Sequence, residues 1–249
     1  MTLQPTLVAH RGHAAAYPEN TLSALESACA AGARWVEVDV QRTRDGKLVL
    51  FHDGDLQRLC AVPGTVHDKT WQELQALSCA NEDRFGSRFS QQRMASLEDF
   101  TSFLVAHEGV EAFVEVKHEA FIGCAQQTVL AELVEQLHAV RERCVLISFA
   151  HDFLALARAE SSYRLGAVAE LWDRFDSEEI LAVAPDYFFC DVRGLPQLER
   201  VQHEVFESAS IAVWEVQDAS LLPQLAARGV DFVETFEIEA MLRAQRGER

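Results

Sequence analysis

Basic residues are scarce in this sequence of 249 residues, which has 22 lysines and arginines against 39 aspartates and glutamates. The formal net charge of −17 repels nucleic acid and anionic membranes at long range. A small anionic ligand is still compatible with this charge, because two or three local cations outweigh a distant field that salt screens beyond ~8 Å. We therefore expect a small-molecule ligand and no nucleic-acid partner.

Long apolar runs are also missing. No stretch approaches the ~18 uninterrupted apolar residues of a membrane-spanning helix, and residues 1–5 lack the basic end and apolar core of a secretory signal. The six cysteines form no Cys-x-x-Cys pair, a pattern typical of reduced, buried thiols. These absences predict a cytoplasmic protein without stable membrane insertion. The oligomeric state is left open.

Short apolar segments alternate with helical patterns along the chain. Eight segments rich in Val, Ile, Phe or Ala are predicted as strands, at 6–9, 35–40, 112–116, 144–148, 165–169, 187–190, 211–215 and 231–234. Helices are predicted at 21–31, 97–107, 120–139, 152–160, 177–183, 196–207, 220–228 and 237–245. Eight strands alternating with helices predict an α/β fold, a (β/α)8 TIM barrel.

An open, doubly wound sheet is the alternative architecture, and the lack of a glycine-rich nucleotide fingerprint after the first strand weakens it. The interval 54–95 breaks the alternation, with a mixed pattern and one short helix predicted at 71–77. Loops this long are unusual unless they carry a function or structure of their own. We predict one barrel domain over residues 1–249, with an inserted subdomain at about 54–95 over the mouth of the barrel.

Ionisable residues cluster at the ends of four strand-like segments. The clusters are His10-Arg11-Gly12, Glu37-Val38-Asp39, His52-Asp53 and Glu115-Val116-Lys117. Charged side chains there are costly unless a function uses them. Glu37 and Asp39 share one face of their strand, and barrel active sites form at the carboxyl ends of strands. We therefore expect Glu37, Asp39 and Glu115 at one end of the barrel, beside His10 and Arg11.

His52 requires a separate argument from the turn that precedes it. Asp45-Gly46 is a preferred centre for a two-residue hairpin turn. With that turn, residues whose numbers sum to 91 face each other, so Asp39 would lie opposite His52 with Cβ atoms ~5 Å apart. We predict that the hairpin brings His52 to the carboxylates, in a register that a bulge would shift.

The converging charges predict a reaction type. Three carboxylates repel one another unless they are protonated or bind a cation, and oxygen ligands suit Mg²⁺ or Ca²⁺ rather than Zn²⁺. Arg11 and Lys117 could hold a phosphate. Two histidines, with an ordinary pKa of ~6.5, could act as general acid and general base. A site that combines a metal ion, two cationic side chains, a general acid and a general base predicts phosphodiester cleavage.

Each of these features also has a purely structural interpretation. Glu37 and Asp39 could form a solvated face, Glu115 and Lys117 an ion pair, and His10 a helix cap. All of these interpretations can hold together only if ionisable residues occur by chance, and without a shared function, at four separate strand ends. Trp214 ends the seventh predicted strand, where it could line the substrate pocket or pack inside the barrel.

At these residues the chain resembles the glycerophosphodiester phosphodiesterase family. The matching stretches follow the family's order through nearly the whole chain: His10-Arg11-Gly12, Pro18-Glu19-Asn20-Thr21, Glu37-Val38-Asp39-Val40, Thr43-Arg44-Asp45-Gly46, His52-Asp53, Glu115-Val116-Lys117, Ser148-Phe149, Val213-Trp214 and Gly229-Val230-Asp231. The resemblance implies a TIM barrel with a small inserted domain after His52. It also implies hydrolysis of glycerophosphodiesters to glycerol 3-phosphate and an alcohol, by way of attack by the glycerol 2-hydroxyl.

The resemblance further implies a role for each cluster. By the family's pattern, His10 and His52 are the catalytic acid–base pair. Glu37, Asp39 and Glu115 hold a divalent cation, and Arg11 and Lys117 bind the phosphate. The chain would thus be an enzyme, a phosphoric diester hydrolase.

Two stretches depart from the family's pattern. The family usually has Trp-Thr after the seventh strand, where this chain has Trp214-Glu215. It usually ends the eighth strand with Thr-Asp-x-Pro, where this chain has Thr235-Phe236-Glu237-Ile238. We expect both departures to affect the head-group preference. The added charge of Glu215 would favour a choline- or ethanolamine-like cation.

Two other functions stay open. One is a related barrel enzyme of the phospholipase D type acting on a lysophospholipid or sphingolipid, which would need an apolar or membrane-facing patch. The other is a catalytically inactive, phosphodiester-binding barrel. Loss of His10, His52 or a carboxylate would mark the inactive form, and all of them are present.

Overall fold

Eight parallel strands close into a barrel in the computed structural model of the chain, which describes residues 4–248. The strands of the sheet are β1 (Thr6–Ala9), β2 (Trp35–Arg42), β3 (Leu48–Leu50), β4 (Glu111–Val116), β5 (Cys144–Ser148), β6 (Arg164–Ala169), β7 (Tyr187–Asp191), β8 (Ser210–Trp214) and β9 (Phe232–Thr235). All except β3 pair in parallel, and β1 pairs with both β2 and β9, which closes the ring. The predicted (β/α)8 barrel is confirmed, and the open sheet was wrong.

Ten α-helices lie among the described residues. They are α1 (Leu22–Ala31), α2 (Gln57–Cys60), α3 (Trp71–Gln75), α4 (Glu82–Phe85), α5 (Leu97–Ala106), α6 (Gln126–Gln136), α7 (His151–Glu160), α8 (Glu178–Val183), α9 (Leu222–Ala227) and α10 (Ile238–Gln245). Ser96 and Asp99 form a capping box at the start of α5. Within residues 4–248, no helix has both the length and the apolar character needed to cross a membrane.

The helix predicted at 196–207 was wrong, because this stretch between β7 and β8 has an irregular backbone. Tertiary contacts determine its course. The His203 ring is buried and stacks on the Phe188 ring, with centroids 4.6 Å apart. Its Nδ1 accepts hydrogen bonds from the backbone N–H groups of Val205 and Phe206. The Val201 N–H donates to the carbonyl oxygen of Arg228 at 2.7 Å. These bonds replace the internal hydrogen bonds that a helix would need.

The hairpin of β2 and β3 also differs from the prediction. Val40 pairs with Leu50, so the numbers of paired residues sum to 90 rather than 91. The Thr43 N–H donates to the Lys47 carbonyl, and Gly46 takes a left-handed φ of +89°, which adds one residue to the turn. Phe51 therefore lies opposite Asp39, and its N–H donates to the Asp39 carbonyl. The predicted pairing of Asp39 with His52 was wrong.

The interval 54–95 carries three short helices, α2, α3 and α4, where one was predicted. With the neighbouring end of β3 it forms an apolar cluster separate from the barrel core, and that cluster includes Leu56, Leu59, Leu74 and Met94. A second, larger core fills the space between the barrel strands and the surrounding helices. That the interval forms a separate inserted subdomain stays a prediction.

Aromatic side chains fill the interior of the barrel near the amino ends of its strands. Trp35 begins β2, Tyr187 begins β7 and Phe232 begins β9, and all three rings pack around Phe113 of β4. The Trp35 and Phe113 ring centroids are 4.6 Å apart. Because alternate side chains of a strand share one face, the next inward-facing positions along β2 and β4 lie above this layer, toward the carboxyl ends of the strands.

Gly12 has no room for a side chain in the turn that follows β1. Its φ is +79°, and a Cβ there would lie 2.7 Å from the carbonyl carbon of Ala24 in α1. We expect Gly12→Ala to lower the free energy of unfolding for two reasons. An alanine in the left-handed conformation costs ~1–2 kcal/mol, and overpacking of its methyl group against α1 costs a further ~1–3 kcal/mol. Urea unfolding monitored by circular dichroism measures this loss.

Gly123→Ala is the matched control for that substitution. Gly123 also has a positive φ, of +70°, but no heavy atom lies within 4 Å of the position that a Cβ would take there, so only the backbone cost applies. Equal losses for the two variants would contradict close packing of the turn against α1.

Candidate active site

The carboxyl end of the barrel holds every residue that the sequence singled out. His10 and Arg11 follow β1, and Glu37 and Asp39 lie on β2. Glu115 lies on β4 and Lys117 directly follows that strand, Trp214 ends β8, and His52 comes two residues after β3. A cavity of about 120 Å³ opens here, lined by His10, Arg11, His52, Glu115, Lys117, Ile147, Phe149, Val168, Phe189, Trp214 and Glu234.

Three carboxylates converge below this cavity. The parallel pairing of β2 with β4 puts Asp39 beside Glu115, and one oxygen from each of Glu37, Asp39 and Glu115 lies within 4.8 Å of the other two. Glu37 Oε1 and Asp39 Oδ1 are buried and have no hydrogen-bond partner. Buried oxygens without partners are costly, and an oxygen-ligated divalent cation would satisfy them. The residues present therefore fit such a cation.

The two carboxylates on β2 have pKa values displaced in opposite directions. Burial raises the pKa of Glu37 well above its ordinary value, and the charges of Asp39, Glu234 and Glu115 raise it further. Burial also acts to raise the pKa of Asp39, but the nearby charges of Arg11, His52 and Lys117 outweigh it and hold that pKa below its ordinary value. Of these two carboxylates, Glu37 is therefore the one whose charged form is disfavoured.

Arg11 and Lys117 supply positive charge on either side of Asp39. The Arg11 Nε lies 3.1 Å from Asp39 Oδ2, and its Nη1 donates to Glu19 Oε1 at 2.8 Å. The Lys117 Nζ donates to Glu115 Oε1 at 2.7 Å and lies 3.6 Å from Asp39 Oδ1. Burial works to lower the pKa of each cation, yet the neighbouring carboxylates raise both, so both stay protonated.

His10 is a buried ring with its two nitrogens in different settings. Its Nδ1 lies 2.7 Å from Glu215 Oε2, whereas its Nε2 lies 3.8 Å from Glu37 Oε2 and 3.9 Å from Glu234 Oε2. Burial lowers the pKa of His10, and the charge of Arg11 lowers it further, against the opposing effect of Glu215. The ring is therefore neutral near pH 7, the form that can accept a proton.

His52 is the more exposed of the two histidines. Its Nδ1 lies 2.9 Å from Asp53 Oδ1, and its side chain is 31% exposed. Arg58 of α2 donates to both oxygens of Asp53 and to both oxygens of Glu19. Arg58 thus links the short segment after β3 to the loop after β1. It also fixes the Asp53 carboxylate, which orients His52.

Several contributors to the site were not assigned a role from the sequence. Asn20 donates from Nδ2 to Asp39 Oδ2 at 2.8 Å and accepts the Asp39 N–H. Glu234 of β9 is buried beside His10, and burial raises its pKa, as does the charge of Glu115. Glu234 shows the signal that singled out Glu37, an acidic residue near the end of a strand. For Asn20 the signal was its place in Pro18-Glu19-Asn20-Thr21, one of the stretches that resemble the family.

Trp214 lies at the rim of the cavity, with its ring 5.9 Å from that of Phe149 in an edge-to-face arrangement. The same two rings line a wider groove of about 550 Å³, together with Glu170, Leu171, Asp191, Arg193 and Gly194. Trp214 therefore lies at the end of its strand, as the sequence predicted. Its contact with the substrate stays a prediction.

Comparison with known proteins identifies the family. The model of the glycerophosphoryl diester phosphodiesterase family matches residues 10–235. A glycerophosphodiester phosphodiesterase of Caldanaerobacter subterraneus is 26% identical over 98% of this chain and 99% of its own length. A probable glycerophosphodiester phosphodiesterase of Mycobacterium tuberculosis is 35% identical over 58% of this chain and 57% of its own length. The match spans 60% of the length of two Bacillus relatives.

A solved structure shares the whole architecture. A phosphodiesterase of Oleispira antarctica, in complex with the product sn-glycerol-3-phosphate, superimposes with a TM-score of 0.82. The two chains are 22% identical, and the superposition covers 98% of this chain and 97% of the other. This likeness agrees with the barrel described above. The chain belongs to the glycerophosphoryl diester phosphodiesterase family.

Proposed function

We propose that this protein hydrolyses glycerophosphodiesters to glycerol 3-phosphate and an alcohol, in a reaction that depends on a divalent cation. The observation that carries the proposal is the convergence of Glu37, Asp39 and Glu115, the first two of them buried, with two histidines beside them. Each histidine has its Nδ1 against a carboxylate, so each has an Nε2 left for proton transfer. The names of the relatives above point to the same substrate class.

Glu37, Asp39 and Glu115 would hold Mg²⁺ or Ca²⁺, since all three offer oxygen ligands. When bound, the cation would neutralise charge that builds up on the phosphate oxygens. Arg11 and Lys117 would bind the phosphate, because their charged groups line the cavity and keep their protons despite burial. Their present carboxylate partners would then be shared with the cation.

His10 would act as the general base and His52 as the general acid. His10 Nε2 takes the proton of the glycerol 2-hydroxyl, and the freed oxygen attacks phosphorus. The P–O bond to the alcohol breaks, and that oxygen takes a proton from His52. Water then opens the cyclic phosphate with the two histidines in reversed roles, so each returns to its starting protonation state.

One observation favours a second candidate function. Phe149 is 46% exposed and Leu171 is 53% exposed, and both line the groove beside Trp214. The apolar side chains on this part of the groove could contact the chain of a lysophospholipid, as the related phospholipase D-type enzyme requires. The inactive barrel has no comparable support, since His10, His52 and the three carboxylates are all present and close together.

A cytoplasmic location stays a prediction.

Release of glycerol 3-phosphate from glycerophosphocholine and glycerophosphoethanolamine tests the proposal. We expect turnover with Mg²⁺ or Ca²⁺ and none with EDTA. His10→Ala and His52→Ala should each lower kcat about 100- to 10,000-fold, the usual contribution of a general acid or base. His138→Ala is the control, because His138 is exposed outside the site and the variant should keep full activity.

The same assay separates the two candidate functions. No release from the folded protein with either cation would contradict the proposal. Release of a head group from lysophosphatidylcholine under those conditions would instead support the phospholipase. Turnover that persists in EDTA would refute the dependence on a cation.

Cation binding should also be visible as a gain in stability. A ligand that binds only the folded state, at 100 times its Kd, stabilises that state by about 2.7 kcal/mol. We expect Mg²⁺ or Ca²⁺ to raise the Tm of the wild type, and Glu37→Gln to reduce that gain sharply. In EDTA, Glu37→Gln should be at least as stable as the wild type, because it removes one of three mutually repelling carboxylates.

Glu108→Gln provides the control for charge alone, since Glu108 is exposed and lies outside the site. It should show the same gain in Tm on cation addition as the wild type. Equal gains in the wild type and in Glu37→Gln would argue against a cation held by these carboxylates.

A further inference from the structure

We propose that Glu215 is a positioning residue that holds His10 in the orientation and tautomer needed for proton transfer. This inference rests on the proposed function, because it assigns Glu215 to the general base of that reaction. It gives a role to a residue at which the chain departs from the usual pattern of its family.

The Glu215 carboxylate is fixed at both of its oxygens. Its Oε2 lies 2.7 Å from His10 Nδ1, and its Oε1 accepts the backbone N–H of Phe236 at 2.9 Å. Glu215 directly follows β8, and Phe236 directly follows β9, so two neighbouring strands of the barrel locate the carboxylate. Since the side chain is only 20% exposed, little water competes for these bonds.

The contact with Glu215 also determines the tautomer of His10. An ionised carboxylate only accepts hydrogen bonds, so His10 Nδ1 must carry the proton. The neutral ring then has a lone pair on Nε2, the nitrogen that faces Glu37 and Glu234 and the cavity. In the opposite tautomer, two lone-pair-bearing atoms would meet 2.7 Å apart.

Phe236 completes the support of the His10 ring. The two rings stack with centroids 4.7 Å apart and planes inclined by 13°. Glu215 thus fixes one edge of the imidazole, while Phe236 covers one face. The two departures from the family's pattern therefore meet at one side chain, since Glu215 and Phe236 each contact His10 and also bond to each other.

This arrangement predicts a role distinct from recognition of a cationic head group. Both Glu215 oxygens are already engaged within the protein, so a substrate cation would compete with His10 and the Phe236 N–H. If Glu215 acts through His10, its loss slows all substrates alike. If it instead binds the head group, its loss changes the preference between substrates.

Steady-state kinetics of Glu215→Leu and Glu215→Gln test the positioning role. We expect Glu215→Leu to lower kcat about 100-fold, at the lower end of the contribution of a general base, with KM within about twofold of the wild type. The ratio of turnover for glycerophosphocholine and glycerophosphoinositol should stay unchanged. Glu239→Gln, an exposed carboxylate on α10, should match the wild type throughout.

The ¹⁵N chemical shifts of the His10 ring test the tautomer without relying on activity. We expect a protonated Nδ1 and an unprotonated Nε2 in the wild type, and loss of that preference in Glu215→Leu. Because this readout needs no turnover, it distinguishes a failure of this inference from a failure of the proposed function. Glu215→Gln, which preserves the size of the side chain, serves both measurements if Glu215→Leu does not fold.

Three results would overturn the inference. The first is a protonated Nε2 in the wild-type His10 ring. The second is an unchanged kcat in Glu215→Leu. The third is a change in the ratio between the two substrates, which would assign Glu215 to the head group.

Discussion

Repulsion among three carboxylates, two of them buried, is the interaction that the surrounding residues at the carboxyl end of the barrel must compensate. One oxygen from each of Glu37, Asp39 and Glu115 lies within 4.8 Å of the other two, and Glu37 and Asp39 are buried from water. Burial of a charge is tolerated only when partners compensate it. Arg11 and Lys117 provide part of that compensation, and the two buried oxygens that lack hydrogen bonds show that it is incomplete. A divalent cation would supply what these side chains leave unsatisfied.

The backbone of the loop after β1 accommodates the same group at some conformational cost. Arg11 and Asn20 both take left-handed φ values, of +57° and +56°. In this conformation the Arg11 N–H reaches Glu37 Oε2 at 3.0 Å, and the Asn20 side chain reaches Asp39 at 2.8 Å. Left-handed backbone at residues other than glycine costs ~1–3 kcal/mol and concentrates at functional sites. The loop is therefore shaped by the carboxylates, and Gly12 lets it pack directly against α1.

Features with a local signal could be predicted from the sequence, and those set by distant contacts could not. Short segments rich in Val, Ile, Phe or Ala located all eight barrel strands, and charge at strand ends located Glu37, Asp39 and Glu115. The hairpin register was missed because Gly46 adds a residue to the turn, a choice between similar turns that the sequence does not decide. Glu215 lies 205 residues from His10, and no local pattern reports a contact at that separation.

The two histidines are supported from different parts of the molecule, and this asymmetry bears on how the site works. His10 is held by Glu215 and Phe236, which follow two paired strands of the closed barrel. His52 depends instead on Asp53 and on Arg58 of the short helix α2, in the interval with its own apolar cluster. Displacement of that interval would therefore move His52 while leaving His10 and the carboxylates in place. In the proposed reaction, residues of the closed barrel hold the buried base, whereas the position of the more exposed acid depends on the interval.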